Sequence, residues 1–155
     1  MIELMRHLGS RFTLDLMLVN NNQKYLNELR QLAVEDERIS FIEPVALQDI
    51  CAKINNYDIG LFLVPPVNFN YKFALPNKFF EFIQARLAVA IGPSPEMAAI
   101  VNRYGFGIVS EDFSPKSLAD RLSSLTFEEI QLMKKNADTA AKKINSNTSK
   151  QFLLD

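Results

Sequence analysis

Apolar positions along the chain switch between two spacings. In "FTLDLMLV", Phe12 to Val19, they crowd together as in a buried strand, and Asn20, Asn21 and Asn22 then supply turn chemistry. Tyr25, Leu26, Leu29, Leu32 and Ala33 follow at helical spacing. "RISFIEP" predicts a second strand, and Leu47, Ile50, Cys51 and Ile54 line one side of a short helix. "DIGLFLV", Asp58 to Val64, is a nearly continuous apolar strand of the kind buried on both faces. A helix from Asn77 to Ala85, the strand "LAVAIG", a helix begun at Pro95 and the strand "FGIV" after Gly105 continue the series. Ser114 caps a helix with Pro115 at its first position, and "TFEE", Thr126 to Glu129, fits a capping box opening a longer final helix. At the start, "MIELMRHLG" carries Leu4, Met5 and Leu8 at helical spacing with Gly9 at the expected C-cap, as the end of a helix whose beginning is absent.

Five strands alternating with helices predict an α/β fold: a Rossmann-like, mostly parallel sheet with helices on both faces, because parallel neighbours need crossover connections. A length of 155 residues suits one compact domain. That domain is expected over residues 1–144. Residues 145–155 form a tail whose polar part, "NSNTSK", cannot bury enough surface to fold.

Composition narrows the partners. Apolar residues at 48% and charged residues at 23% are average for a globular chain, and the net charge of −1 offers no broad cationic surface for nucleic acid. Cys51 is the only cysteine, which excludes an internal disulfide and suits a reducing compartment. No apolar run approaches the roughly 20 residues of a membrane span, and the N-terminus lacks a secretion-signal layout, so the chain reads as cytoplasmic.

In an open parallel sheet, ligands sit beyond the carboxyl ends of the strands, where helix N-termini point free N–H groups into the same crevice. "FALPNKFFEF", Phe73 to Phe82, falls there: Pro76 suits a first-turn position, and Lys78 and Glu81 follow close behind. Lys78 can neutralise a phosphate where the helix dipole already favours one, and Glu81 can accept two hydroxyl hydrogen bonds, as from a ribose. The same spacing also describes a solvated surface pair contributing a few tenths of a kcal/mol. His7, alone and without Cys or acidic neighbours, reads as an ordinary surface or packing residue, and no metal site is visible. Gly105 and Gly107 are explained by a helix C-cap followed by a strand start. Phe69, Tyr71 and Phe73 either stack on a base or fold their long loop back onto the core. A G-x-G-x-x-G dinucleotide loop is missing, and Asp15 and Asp58 lie too early in their strands to form a phosphate-accepting acidic cluster.

From Leu47 onward the chain resembles the C-terminal, donor-binding half of a GT-B glycosyltransferase, in the group-4-like branch of the group 1 family. The residues that carry the likeness are Leu75, Pro76, Asn77, Lys78, Glu81 and "LAVAIGPSPE", with "ISFIEPV" upstream and "IVNRYGFGIVSEDFSPKSLADRLSSL" downstream. The resemblance implies a metal-independent enzyme of polysaccharide biosynthesis that binds a UDP- or GDP-linked sugar as substrate and needs no cofactor. It implies that Glu81 holds the ribose hydroxyls and Lys78 meets the diphosphate, with Leu75, Pro76 and Asn77 in the same donor segment. The backbone near Pro44 and Val45 would lie against the base. Pro93, Ser94 and Pro95 would form a loop near the donor pocket, as would Phe73, which stands where many members carry a glutamate near the donor sugar. It assigns no catalytic residue.

The same resemblance implies a preceding acceptor domain, through which any membrane contact would run, and a first strand with a basic turn, so that this chain by itself would be half of a catalytic unit. In the strand order 3-2-1-4-5-6 that first strand separates the second from the fourth. The strands at Phe12 to Val19 and Asp58 to Val64 are therefore expected to flank a vacancy, either closing it by direct pairing or recruiting a strand through self-association. The competing class is a noncatalytic α/β module that binds a nucleotide or another protein.

Overall fold

The computed structural model describes residues 1–144; the tail 145–155, and with it the disorder expected there, lies outside the described residues, as does the side chain of Phe69. Short polar residues start most helices. The Asn22 side chain accepts from the Tyr25 N–H and opens α2 (Gln23–Ala33), following α1 (Ile2–Met5). Ser114 accepts from the Ser117 N–H ahead of α7 (Pro115–Ser123), and Thr126 and Glu129 form the expected capping box of α8 (Phe127–Lys143). The remaining helices are α3 (Ile50–Ile54, after a single 3-10 turn over Leu47–Asp49), α4 (Phe69–Lys72), α5 (Asn77–Gln84) and α6 (Pro95–Tyr104). Gly105 ends α6 at φ 66°, a left-handed conformation that glycine adopts without a Cβ clash.

Three local expectations are corrected. Helix α1 ends in a right-handed turn at Arg6, so Gly9 is not its C-cap. The Arg38 guanidinium instead donates to the carbonyls of Met5 (2.6 Å), Leu8 (2.7 Å) and Gly9 (3.1 Å), doing at long range what a glycine cap does locally. Pro76 is the extended N-cap of α5 rather than its first-turn residue, at φ −71° and ψ 147°. The segment before it holds the short helix α4, because the Asn68 side chain accepts from the Tyr71 N–H.

All strand pairing among the described residues is parallel, and helices cover both faces, as the alternation predicts. The strands β1 (Leu14–Met17) and β2 (Ile39–Ile42) form one sheet, with Leu14 opposite Ile39. The strands β3 (Ile59–Phe62), β4 (Ala88–Ile91) and β5 (Gly107–Val109) form another, with β4 central. On one face Ala88, Ala90 and Ile108 pack with Leu4 and Met5 of α1 and Leu118 and Leu122 of α7. On the other, Val89, Ile91 and Phe106 pack with Phe79 and Ile83 of α5, Val101 of α6 and Ala137 of α8. Every residue of β4 is buried, whereas β1 and β3 are largely half-exposed. The reason is that β1 and β3 do not pair: the expected vacancy lies between them, unclosed.

Candidate functional site

That vacancy is a cavity of about 450 Å³. Its banks are β1 and β3. At the amino end of both strands it is floored by Tyr57 and Leu87, and at the carboxyl end Pro44, Val45, Lys78 and Glu81 reach its lining. The short loop after β2 brings Pro44 and Val45 there, and the start of α5 brings Lys78 and Glu81. Helix α5 is placed by Phe79 and Ile83, both 0% exposed, so its next turns are anchored in the core while Lys78 and Glu81 face the cavity side. Gly60 allows the close approach of β3 to α5, since a Cβ there would stand 2.3 Å from the Phe82 ring.

Four residues singled out from the sequence thus share one cavity. Lys78 is exposed and Glu81 half-buried. Among the described residues neither side chain forms a hydrogen bond or an ion pair, with the other or with any neighbour, so the pairing expected of a simple surface duo is not made. Leu75 instead packs into the core around α5, α6 and α8, Pro76 caps α5, and Asn77 is exposed at its first position; none of the three lines the cavity. Phe73 closes α4 with the Lys72 ammonium 5.7 Å above its ring. Pro93, Ser94 and Pro95 lead into α6, with Ser94 only 4% exposed, and they too lie outside the cavity lining. His7 is exposed beyond α1. Tyr71 is 59% exposed, so it does not fold its loop onto the core.

The cavity floor was not legible in the sequence. The Tyr57 hydroxyl donates to Asp15 Oδ2 at 2.5 Å, joining the two sheets across the vacancy between residues 42 positions apart. This hydrogen bond to a carboxylate, assisted by burial, pushes the tyrosine up to about 12. From α8, Lys134 Nζ donates to the Tyr57 carbonyl (2.8 Å) and to Asp58 Oδ1 (3.1 Å), pinning the same corner. Behind the site, burial and then the negative charge of Glu81 push the Cys51 thiol up, so it stays protonated at neutral pH and is a poor nucleophile.

The arrangement offers a cation at a helix N-terminus, a carboxylate one turn further on, and an extended loop opposite, around a largely apolar opening. Such a set can hold an anion, a diol and a flat ring side by side. No helix among the described residues is long and apolar enough to cross a membrane. No family model and no curated protein matches the chain.

Proposed function

We propose that this chain is a nucleotide-binding domain of a sugar-transferring enzyme, the donor-binding half of a GT-B glycosyltransferase, taking a nucleoside diphosphate sugar at the carboxyl end of the cleft. The observation that carries the reading is the convergence of Pro44, Val45, Lys78 and Glu81, from segments more than thirty positions apart in the sequence, on the lining of one cavity between two parallel sheets, at the carboxyl end of its strands, where such folds bind ligands. In this reading Lys78 and the N–H groups opening α5 meet the diphosphate, Glu81 accepts from the two ribose hydroxyls, and the base lies along Pro44 and Val45. A partly buried carboxylate with no partner among the described residues is poised for this: the ligand supplies donors that those residues do not. The sugar would extend away from the apolar cleft toward an acceptor held by another domain.

Calorimetric titration with uridine, guanosine and adenosine diphosphates tests the reading. Binding of at least one is expected, and Glu81→Ala should weaken it about tenfold or more, the loss of hydrogen bonds to a charged acceptor being worth about 1.5–3 kcal/mol. Equal affinity in the wild type and the variant would remove the ribose role.

A further inference from the structure

We propose that the side-chain amide of Asn21 holds the polar edge of the nucleotide base. The inference rests on the nucleotide reading and deepens it, because Pro44 and Val45 give the base a surface to lie on but no side chain to meet its edge. The face of a base is apolar and its edge carries donors and acceptors, which a buried site must match. The polar side chains lining the cleft are few. Thr13, Asp15 and Tyr57 belong to its amino end, where the last two bond to each other, and this leaves Asn21, Lys78 and Glu81 at the carboxyl end. With Lys78 on the diphosphate and Glu81 on the ribose, Asn21 is the group that remains for the base.

Three asparagines in a row follow β1, and the fold uses them differently. Asn20 Nδ2 donates to Gln23 Oε1 at 2.6 Å. Asn22 Oδ1 accepts from the Tyr25 N–H at 3.1 Å and caps α2. Asn21 donates its own N–H to the Val19 carbonyl at 2.9 Å, which shapes the turn, while its side-chain amide bonds to nothing among the described residues. Of the three, only Asn21 lines the cleft. The two flanking side chains serve the start of α2; the middle one serves no part of the fold.

Strand order sets Asn21 in the path of the ligand. β1 lies between β2 and the cleft, so a molecule reaching from the loop after β2 to the start of α5 crosses the carboxyl end of β1, where Asn21 stands. Its neighbours in the lining there, Val19, Ile42, Pro44 and Val45, are apolar. An uncharged amide suits such a place: it presents one carbonyl acceptor and one NH2 donor from a short stem, and so meets a base edge with two hydrogen bonds without adding a charge beside the diphosphate.

Calorimetric titration of the full chain with uridine, guanosine and adenosine diphosphates, set against inorganic pyrophosphate, tests the assignment. Asn21→Ala should weaken the nucleoside diphosphate that binds by about fivefold to tenfold. Pyrophosphate affinity and the urea midpoint should not move, since the amide supports neither the phosphates nor the fold. Unchanged nucleotide affinity in Asn21→Ala would overturn the proposal. An equal loss of pyrophosphate affinity, or a lowered midpoint, would do the same by putting the amide on the phosphates or in the fold. A wild type that binds no nucleoside diphosphate ends the nucleotide reading and this one with it. A wild type that binds, loses affinity in Glu81→Ala and keeps it in Asn21→Ala ends this one alone.

Discussion

Removing one oxygen tests how the divided sheet is held. Tyr57→Phe keeps the ring that floors the cleft but deletes the hydrogen bond to Asp15. A rise of the tyrosine from its ordinary value of 10.0 to about 12 would correspond to about 2.7 kcal/mol if undiluted by solvent. The residue is half-exposed, and water competes for the carboxylate, which lowers the expected contribution to about 1–2 kcal/mol. The sign with pH follows from linkage. The folded state holds the tyrosine proton more tightly than the unfolded state, so the stabilisation is fully present below pH 10 and is lost as pH rises toward 12. Urea unfolding at pH 8 should place the variant about 1–2 kcal/mol below the wild type, with an unchanged slope. At pH 11 the gap should have narrowed, because the wild type alone has lost the term. A gap of the same size at both pH values would refute the argument, since a purely packing effect has no reason to titrate with the phenol.

Two further expectations rest on single side chains. Gly105→Ala should cost about 1 kcal/mol in the same urea assay, because φ 66° is strained for any residue with a Cβ, and an unchanged midpoint would show that the turn relaxes freely. Arg38→Met should release α1, whose last carbonyl, that of Met5, it holds together with the Leu8 and Gly9 carbonyls just beyond, and speed exchange of the α1 amides without altering nucleotide affinity; unchanged exchange would mean that the packing of Leu4 and Met5 suffices to hold the helix.

Local chemistry was legible in the sequence, and long-range chemistry was not. Ser114, Thr126 with Glu129, and Gly105 act within three or four residues, so their caps could be read directly, and the apolar runs at 59–62 and 88–91 marked strands, although the first of them, read as buried on both faces, is largely half-exposed because it has no partner on the β1 side. Asn68 is the exception: it is a cap of the same kind, hidden among prolines and aromatics that read as loop. Arg38 replaces the expected Gly9 cap from 33 positions away from Met5, a choice no local pattern announces. The vacancy was foreseeable from strand order, but not that it would stand open, nor that Tyr57 and Asp15 would bridge its floor. Within the site, Lys78 and Glu81 stood out because a proline marked the start of α5, whereas Phe82 and Leu87 look like ordinary core residues until β3 and β1 fail to meet.

The central claim is that the carboxyl end of this cleft is a nucleotide site. The most direct measurement is a titration of the isotopically labelled chain with uridine and guanosine diphosphates, followed by backbone amide shifts. Saturable shifts are expected at Glu43, Val45 and across Asn77 to Glu81, weakened together in Glu81→Ala. Shifts absent with both nucleotides, or confined to residues away from the cleft such as the start of α7, would contradict it.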